Sequence, residues 1–500
     1  MNKEIKNIVP IILAGGLGTR MKSEDPKALS PLLENPLIFY TVEALINTRR
    51  TFNTHRGYKY RIIIDKIGIV IGHKGELVKQ YVLKEKRFKV KGLSLDFATQ
   101  EKYLGTGDAA LKALEMFASY NNNDEIHLLI LPCDMPLIEA KTVECLIKFH
   151  LDNESDLTVL SVEVENPYSY GRILKDKNGY VKEIIEENEL KGYSEELAKI
   201  KEINSGIYAV KLKHLKRLIK KIKPNNLKKE YYLTDIIHIF FEEGLKTMCY
   251  KSFAKDEFIG VNSRLDLLNA QRLLQKRVVK GLIDNGVNFI STDNVYIGYN
   301  VSIGENSMLY PNVFISGSTY ILKDVIVESG CVIRESFIAS KTTIKSYSVL
   351  EEAFVMDGAM IGPFARLRPG SLICEGGKIG NFVEVKKSII GKNTKASHLS
   401  YIGDARVGDD VNIGAGVITC NYDGVKKYQT IIEDGCFIGS DSQLVAPVKI
   451  GKNSYVGSGT TVTKDVPEGS LALSRMPQRN IDGWALKKMK RKKVKKEGEV

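Results

Sequence analysis

The chain has 500 residues, 43% of them hydrophobic and 27% charged, a balance that excludes wholesale disorder and, at this length, predicts two or three domains. No apolar run approaches the ~18 residues of a membrane span, and the run 8–14, closed by Gly15-Gly16, is too short for a secretory signal, so stable membrane insertion is not expected. Net charge is 73 − 60 = +13, but residues 487–496, KKMKRKKVKK, hold eight of the positive charges and Glu497 and Glu499 take back two. That stretch reads as a solvated tail, with an anionic partner as the alternative. Elsewhere basic residues are scattered without the arginine–aromatic interleaving of an RNA binder, so no nucleic-acid partner is expected. Seven cysteines spread from Cys133 to Cys436 without a CxxC pair suit a reducing cytosol rather than a disulfide scaffold or zinc ribbon.

Residues 1–260 alternate apolar strands with amphipathic helices. Strands are expected at 8–14, at 68–71 before Gly72, at 126–131 running into Pro132-Cys133-Asp134, and at 157–164. Helices are expected at 37–47 and around Ala110, Leu114 and Phe117. This order predicts an α/β domain with a mostly parallel sheet, helices on both faces, and ligands at the carboxyl ends of the strands. Residues 261–289 read as a helical linker, with Leu265, Leu268, Leu274, Val278 and Leu282 on one stripe. Residues 290–480 carry a six-residue pulse, clearest in Ile438, Leu444, Ile450, Val456 and Val462. Such a period builds a parallel β-helix, three short faces per coil, and predicts roughly ten coils with Gly, Asn and Asp at positive-φ corners. The pulse breaks at 419–430, TCNYDGVKKYQT, which predicts a functional loop outside the stack. Residues 481–500 are left as a basic tail.

Two stretches carry chemistry. LAGGLGTR at 13–20 follows the first strand and is followed by Lys27. Glycines let successive N–H groups cradle phosphate, and Arg20 and Lys27 add fixed positive charge there. GxGxxG fails at Met21 and no GKS or GKT is present, which disfavours a dinucleotide fold and a P-loop ATPase. Leu104-Gly105-Thr106-Gly107 precedes a helix. Asp134 ends a strand, either capping a turn or holding a hard cation such as Mg²⁺. In the second half His398 stands alone among the repeats, so it is either structural or a general base.

The runs LAGGLGTRM…PK, Gln100 with LGTG, Asp134, Tyr170-Gly171-Arg172, Glu186, INSG and Val261-Asn262 resemble the sugar-1-phosphate nucleotidyltransferases. With ARLRPG, GNFVEVKK, HLSYIGD, NIGAGVITCNYDG and FIGSDSQLVAPV added, nearly the whole chain resembles bacterial bifunctional N-acetylglucosamine-1-phosphate uridylyltransferase / glucosamine-1-phosphate acetyltransferases. It departs from that pattern at Gly15, Cys133 and Asn188, where alanine, glycine and lysine are usual.

The resemblance implies a Rossmann-like nucleotidyltransferase domain followed by a left-handed β-helix, cytoplasmic and homotrimeric, making UDP-N-acetylglucosamine for envelope polysaccharide. It implies that Leu13, Ala14, Gly15, Gly16, Gln100, Gly105, Thr106, Pro132 and Cys133 hold the nucleotide of UTP and that Arg20 and Lys27 stabilise its phosphates. Asp134 and Asn262 would bind Mg²⁺, and Gly171, Glu186 and Asn204 would contact the sugar. For acetyl transfer from acetyl-CoA it implies His398 as base with Glu384 orienting the imidazole, Arg368, Lys386, Tyr401 and Asn412 on the sugar phosphate, and Ala415, Asn421, Tyr422, Ser440, Ser458 and Arg475 on acetyl-CoA. Two other readings stay open: a nucleotidyltransferase whose β-helix is only a scaffold, and an acetyltransferase with a degenerate first half.

Overall fold

The computed structural model describes residues 4–489 apart from 17, 49–50, 54–58, 119–125, 169, 193–196, 198, 225, 227–228 and 475; Arg475 and most of the basic tail therefore lie outside the described residues. The chain divides into two compact units, Met1–Arg277 and Val278–Val500.

At the centre of the first unit runs the strand Glu4–Ala14. It pairs in parallel with Lys59–Ile63 and then Lys66–Ile71 on one side, and with Ile126–Pro132 on the other. Ile8, Val9, Ile11 and Ile12 are all buried, as a strand covered on both faces requires. The helices Leu37–Asn47 and Thr106–Glu115 stand where the apolar stripes place them, although Phe117 follows its helix rather than belonging to it.

The expectation of a mostly parallel sheet needs correction. Among the described residues its pairings are five parallel and five antiparallel. One antiparallel pairing, Thr51–Asn53 with Lys59–Ile63, lies at one edge of the sheet, and the other four gather toward the opposite edge around the hairpin Arg172–Lys175 / Val181–Ile185. The hairpin's connection is the five residues Asp176 to Tyr180, with Asp176 Oδ1 accepting from the Asn178 and Tyr180 N–H groups and Gly179 at φ 84°. A link that short can only reverse the chain. The strand Glu202–Lys211 then joins this hairpin to Leu157–Glu163 and Ile126–Pro132, antiparallel to each.

In the second unit three parallel sheets of 11, 10 and 9 strands form the three faces of a β-helix. Most coils take 17 or 18 residues, as from Ile315 to Ile333 and Ile333 to Leu350, and the coil that holds the inserted loop runs longer, from Ile413 to Ile438. The pulse residues Ile297, Ile303, Ile438, Leu444, Ile450, Val456 and Val462 all point into one buried apolar column. The loop beyond Cys420 interrupts the chain but not the stack: Thr419 still pairs with Leu444, and the strand Thr430–Ile432 resumes the third face.

Corner chemistry is broader than the Gly, Asn and Asp expected. Asn294, Asn306, Asp324, Asp410 and Asn453 do take positive φ, but so do Tyr347, Phe364, Phe382 and Leu399. The left-handed conformation costs a bulky residue about 1–2 kcal/mol. Here the rings stack from coil to coil, Tyr347 on Phe364 at 5.2 Å and Phe364 on Phe382 at 5.4 Å, which returns about 0.5–1.5 kcal/mol per pair.

The helix Arg264–Asp284 crosses the division between the units. Of its apolar stripe Leu274 and Leu282 are buried, whereas Leu265 and Leu268 are exposed. Val279 and Leu282 belong to the same apolar cluster as the coils.

Candidate active sites

A cavity of about 860 Å³ opens at the carboxyl ends of the parallel strands of the first unit. Fourteen of the expected residues line it: Leu13, Gly15, Gly16, Arg20, Lys27, Gln100, Gly105, Thr106, Pro132, Cys133, Asp134, Glu186, Asn204 and Asn262. Ala14 and Gly171 do not. Ala14 is buried in the central strand, and the Gly171 carbonyl instead accepts the Asn204 N–H at 2.9 Å, setting that residue in place. Asn204 Nδ2 in turn donates to the Tyr208 hydroxyl at 2.8 Å.

Gln100 is 3% exposed and its amide nitrogen donates to Gly105 O at 3.0 Å and to Asp108 at 2.7 Å. Its oxygen is thereby turned toward Gly15, where an added Cβ would stand 2.9 Å from it. Gly105 sits at φ 109°, a conformation only glycine adopts readily, with the Tyr231 carbonyl directly where a Cβ would go. The Gly107 N–H donates to that carbonyl at 2.7 Å, and the Tyr231 N–H to Leu104 O at 2.8 Å. A segment over 120 residues away thus clamps the second glycine turn. Burial, and next the Asp134 charge, push the Cys133 thiol up to about 12, so it serves as wall and not as nucleophile.

Lys27 Nζ lies 2.5 Å from Asp134 Oδ2 and 2.8 Å from Asn262 Oδ1. Two hard oxygen donors converge on one position, and a cation holds it; a divalent ion fits such a donor set. Asn262 is fixed from behind, because Asp266 Oδ2 accepts the N–H groups of Asn262 at 3.1 Å and Ser263 at 2.8 Å in a reciprocal helix cap. Among the described residues no group of three or more His, Cys, Asp or Glu gathers, so an ion here keeps most of its shell for water and phosphate. Sequence reasoning missed Tyr103, Glu230, Tyr232 and Thr234 of the lining. Thr234 Oγ1 donates to Glu186 Oε1 at 3.1 Å, a contact between segments that share no motif.

In the second unit the expected residues fall into two groups. Arg368, Glu384, Lys386 and Tyr401 lie on the face that includes Arg366–Leu367, Glu384–Lys386 and Tyr401–Gly403. Arg368 and Lys386 occupy equivalent places on successive coils. Lys386 is drawn below the ordinary lysine pKa by Lys427 first and by Arg368 after it. These side chains make a basic corner that suits a phosphate, although Arg368 is also paired with Glu384. Lys427, absent from the sequence reading, comes from the inserted loop, where it bridges to Tyr422. Asn421 is buried and donates to Asp404 at 2.5 Å, anchoring the loop's base.

His398 ends the strand Lys395–His398 on the preceding face and is exposed. The register Ala396–Ile413–Ile438–Val456 puts Ala415, Ser440 and Ser458 in one line above it, two residues beyond each partner. Three coils separate His398 from Ser458, about 14 Å at ~4.8 Å per strand. A track of small side chains therefore leads away from the imidazole. Asn412 opens the same face one coil above Lys395.

The expected pairing of Glu384 with His398 is corrected. Glu384 Oε1 accepts from Arg368 Nη1 at 2.8 Å, because the two strands sit on the same face one coil apart. Nδ1 of His398 is instead 2.7 Å from Asn381 Oδ1.

Comparison with known proteins places both halves. The nucleotidyl transferase family matches residues 9–257, and the bacterial transferase hexapeptide family (six repeats) matches residues 429–464, beginning where the inserted loop ends. The second unit is thus a left-handed parallel β-helix of hexapeptide repeats. The bifunctional protein GlmU of Thermodesulfovibrio yellowstonii is 43% identical over 96% of this chain and 99% of its own length. That of Streptococcus agalactiae serotype V is 40% identical over 96% and 97%. A solved UDP-glucose pyrophosphorylase complexed with UDP-glucose superposes at TM-score 0.41 with 18% identity, over 55% of this chain and 100% of that one, too loosely to bear on the sites. With a nucleotide-sized cavity in one unit, a histidine-headed track in the other, and relatives that match from end to end, the chain belongs to the family of the bifunctional protein GlmU.

Proposed function

We infer that this chain makes UDP-N-acetylglucosamine in two steps: acetyl transfer from acetyl-CoA to glucosamine-1-phosphate in the β-helix, then uridylyl transfer from UTP to N-acetylglucosamine-1-phosphate in the first unit, releasing pyrophosphate. The observation that carries the reading is that relatives named as bifunctional match along nearly the whole chain, including the nucleotidyl transferase half and the hexapeptide half.

In the first reaction His398 takes a proton from the 2-ammonium group, since a protonated amine cannot attack a thioester. The free amine attacks the acetyl carbonyl, the C–S bond breaks, and CoA leaves as the thiol. Arg368, Lys386 and Lys427 hold the acceptor's phosphate, with Tyr401 and Asn412 on the sugar. Ala415, Ser440 and Ser458 form the track for the CoA arm, and Asn421, Tyr422 and Arg475 are assigned to acetyl-CoA by family resemblance alone.

In the second reaction the sugar phosphate oxygen attacks the α-phosphorus of UTP. The work is positioning and charge neutralisation. Leu13, Gly15, Gly16, Gln100, Gly105 and Thr106 bind the uridine nucleotide, and Glu186 and Asn204 orient the sugar. Arg20 and Lys27 stabilise the phosphates. Asp134 and Asn262 would hold Mg²⁺, which would supply further neutralisation of the polyphosphate.

Residues 1–260 would carry uridylyl transfer and 290–480 acetyl transfer. A homotrimer is supported by the exposure of His398 beside Phe382 and Leu399, 56% and 60% exposed: an open corner needs a neighbour to wall a CoA arm. No helix among the described residues is long and apolar enough to cross a membrane; a cytoplasmic location rests on the cysteine usage.

Mass spectrometry of products formed from UTP, acetyl-CoA and glucosamine-1-phosphate tests the whole reading. His398→Ala is expected to abolish CoA release and spare pyrophosphate release. Persisting acetyl transfer would remove His398 as base, and absence of pyrophosphate release with Mg²⁺ present would leave an acetyltransferase with a degenerate first half.

A further inference from the structure

We propose that Asn381 is a positioning residue for acetyl transfer, one that selects the tautomer of His398; the proposal rests on the reading of His398 as the base. Asn381 ends the strand Lys378–Asn381, and in the stack it is the direct partner of His398, one coil below. Its side-chain oxygen meets His398 Nδ1 at 2.7 Å, and its backbone carbonyl accepts the Leu399 N–H at 3.0 Å. The residue is thus tied to the histidine's strand by backbone and side chain together.

The chemistry follows from which amide atom faces the ring. An amide oxygen beside Nδ1 requires a proton on Nδ1, and a neutral imidazole then carries its lone pair on Nε2. That is the nitrogen directed away from Asn381, free to take a proton from the amino sugar. Above His398 the next residue of the column is Ala415, which leaves room for a substrate. The role usually filled by a carboxylate falls here to a neutral oxygen. The nearby carboxylate, Glu384, is engaged by Arg368 on the adjoining face. An uncharged partner orients the ring without adding a negative charge next to the thiolate that must leave.

The test uses the full-length protein. Asn381→Ala lets both tautomers form, and its kcat for acetyl transfer is expected to fall about 10–100-fold, with KM for acetyl-CoA within about twofold. Asn381→Asp, which keeps an acceptor oxygen at the same reach, is expected to recover most of that loss. Pyrophosphate release serves as the fold control and should match wild type in both. The direct readout is ¹⁵N NMR of histidine-labelled protein, with His398→Gln identifying the resonances: wild type should show a protonated Nδ1 and a bare Nε2, and Asn381→Ala a mixture. A wild-type His398 protonated at Nε2, or an Asn381→Ala variant within twofold of wild-type kcat, overturns the proposal. Acetyl transfer that survives His398→Ala would instead remove the base assignment, an outcome the tautomer measurement does not share. Should Asn381→Ala fail to fold, the wild-type spectrum and the Asn381→Asp rates still decide.

Discussion

On the proposed reading, Lys27 is the cation that a divalent ion would displace. It is 9% exposed and Asp134 22%, and it touches both oxygens expected to bind the metal. At 2.5 Å and an effective dielectric near 20, the bare attraction to Asp134 is roughly 6–7 kcal/mol. Desolvation of two largely buried charges offsets most of it, leaving about 1.5–3 kcal/mol net. Replacing Lys27 by Met keeps the stem that packs beside Gly18 and removes only the ammonium. The nucleotide-free variant should therefore bind Mn²⁺, a stand-in for Mg²⁺ on oxygen ligands, about 10–100-fold more tightly, by calorimetry or electron paramagnetic resonance titration. Uridylyl transfer at saturating metal should nonetheless fall, because the same ammonium is needed on the phosphates once the metal has taken its place. Equal Mn²⁺ affinity in wild type and variant would refute the argument, and so would tighter binding that persists when Asp134 is changed to Ala.

Gly105→Ala forces a Cβ into the Tyr231 carbonyl at a backbone conformation costing about 1–3 kcal/mol; kcat/KM for UTP should drop at least about tenfold, with acetyl transfer unchanged in the same preparation. Ser440→Phe places a ring on the exposed track above His398 without touching the apolar column, so KM for acetyl-CoA should rise about 10–100-fold while the melting temperature holds within a degree or so. Asp235 is pushed up to about 6, by burial first and then by Glu189 and Glu186. A raised carboxyl means the folded state holds the proton longer, so the penalty is absent below the unfolded value near 4, grows as pH rises, and is complete above about 6. Because this carboxyl is partly solvated, Asp235→Asn should stabilise the first unit by only about 1 kcal/mol at pH 7.5, and not at pH 4, in thermal melts at the two pH values.

The β-helix was legible because its signal is one-dimensional: each pulse residue packs on its counterpart one coil away, so spacing alone states the structure. The nucleotide cavity was legible where a motif is local, as in the glycine turns and the strand-end Asp134. It was not legible where distant segments meet. Nothing near Gly105 announces Tyr231, and Thr234 reaches Glu186 across residues of unrelated pattern. The antiparallel half of the sheet escaped notice for a related reason, since Asp176 to Gly179 reads simply as a loop until its hydrogen bonds show a chain reversal. The imidazole's partner was misassigned because a carboxylate three residues past Asn381 looks chemically right, but strand register gives that position to the neighbouring face, where Arg368 takes it.

The helix Arg264–Asp284 has a practical meaning for anyone wishing to dissect the polypeptide. Its last turns contribute Val279 and Leu282 to the apolar column of the coils, so they act as the stopper of a tube whose first ring would otherwise open Val295, Ile297 and Ile303 to water. A solenoid exposed at its end is a template for association with other chains. Scissors placed at the start of the repeats, near residue 290, would leave the tube unplugged; placed ahead of the helix, they would let the acetyl-transfer half keep its own stopper.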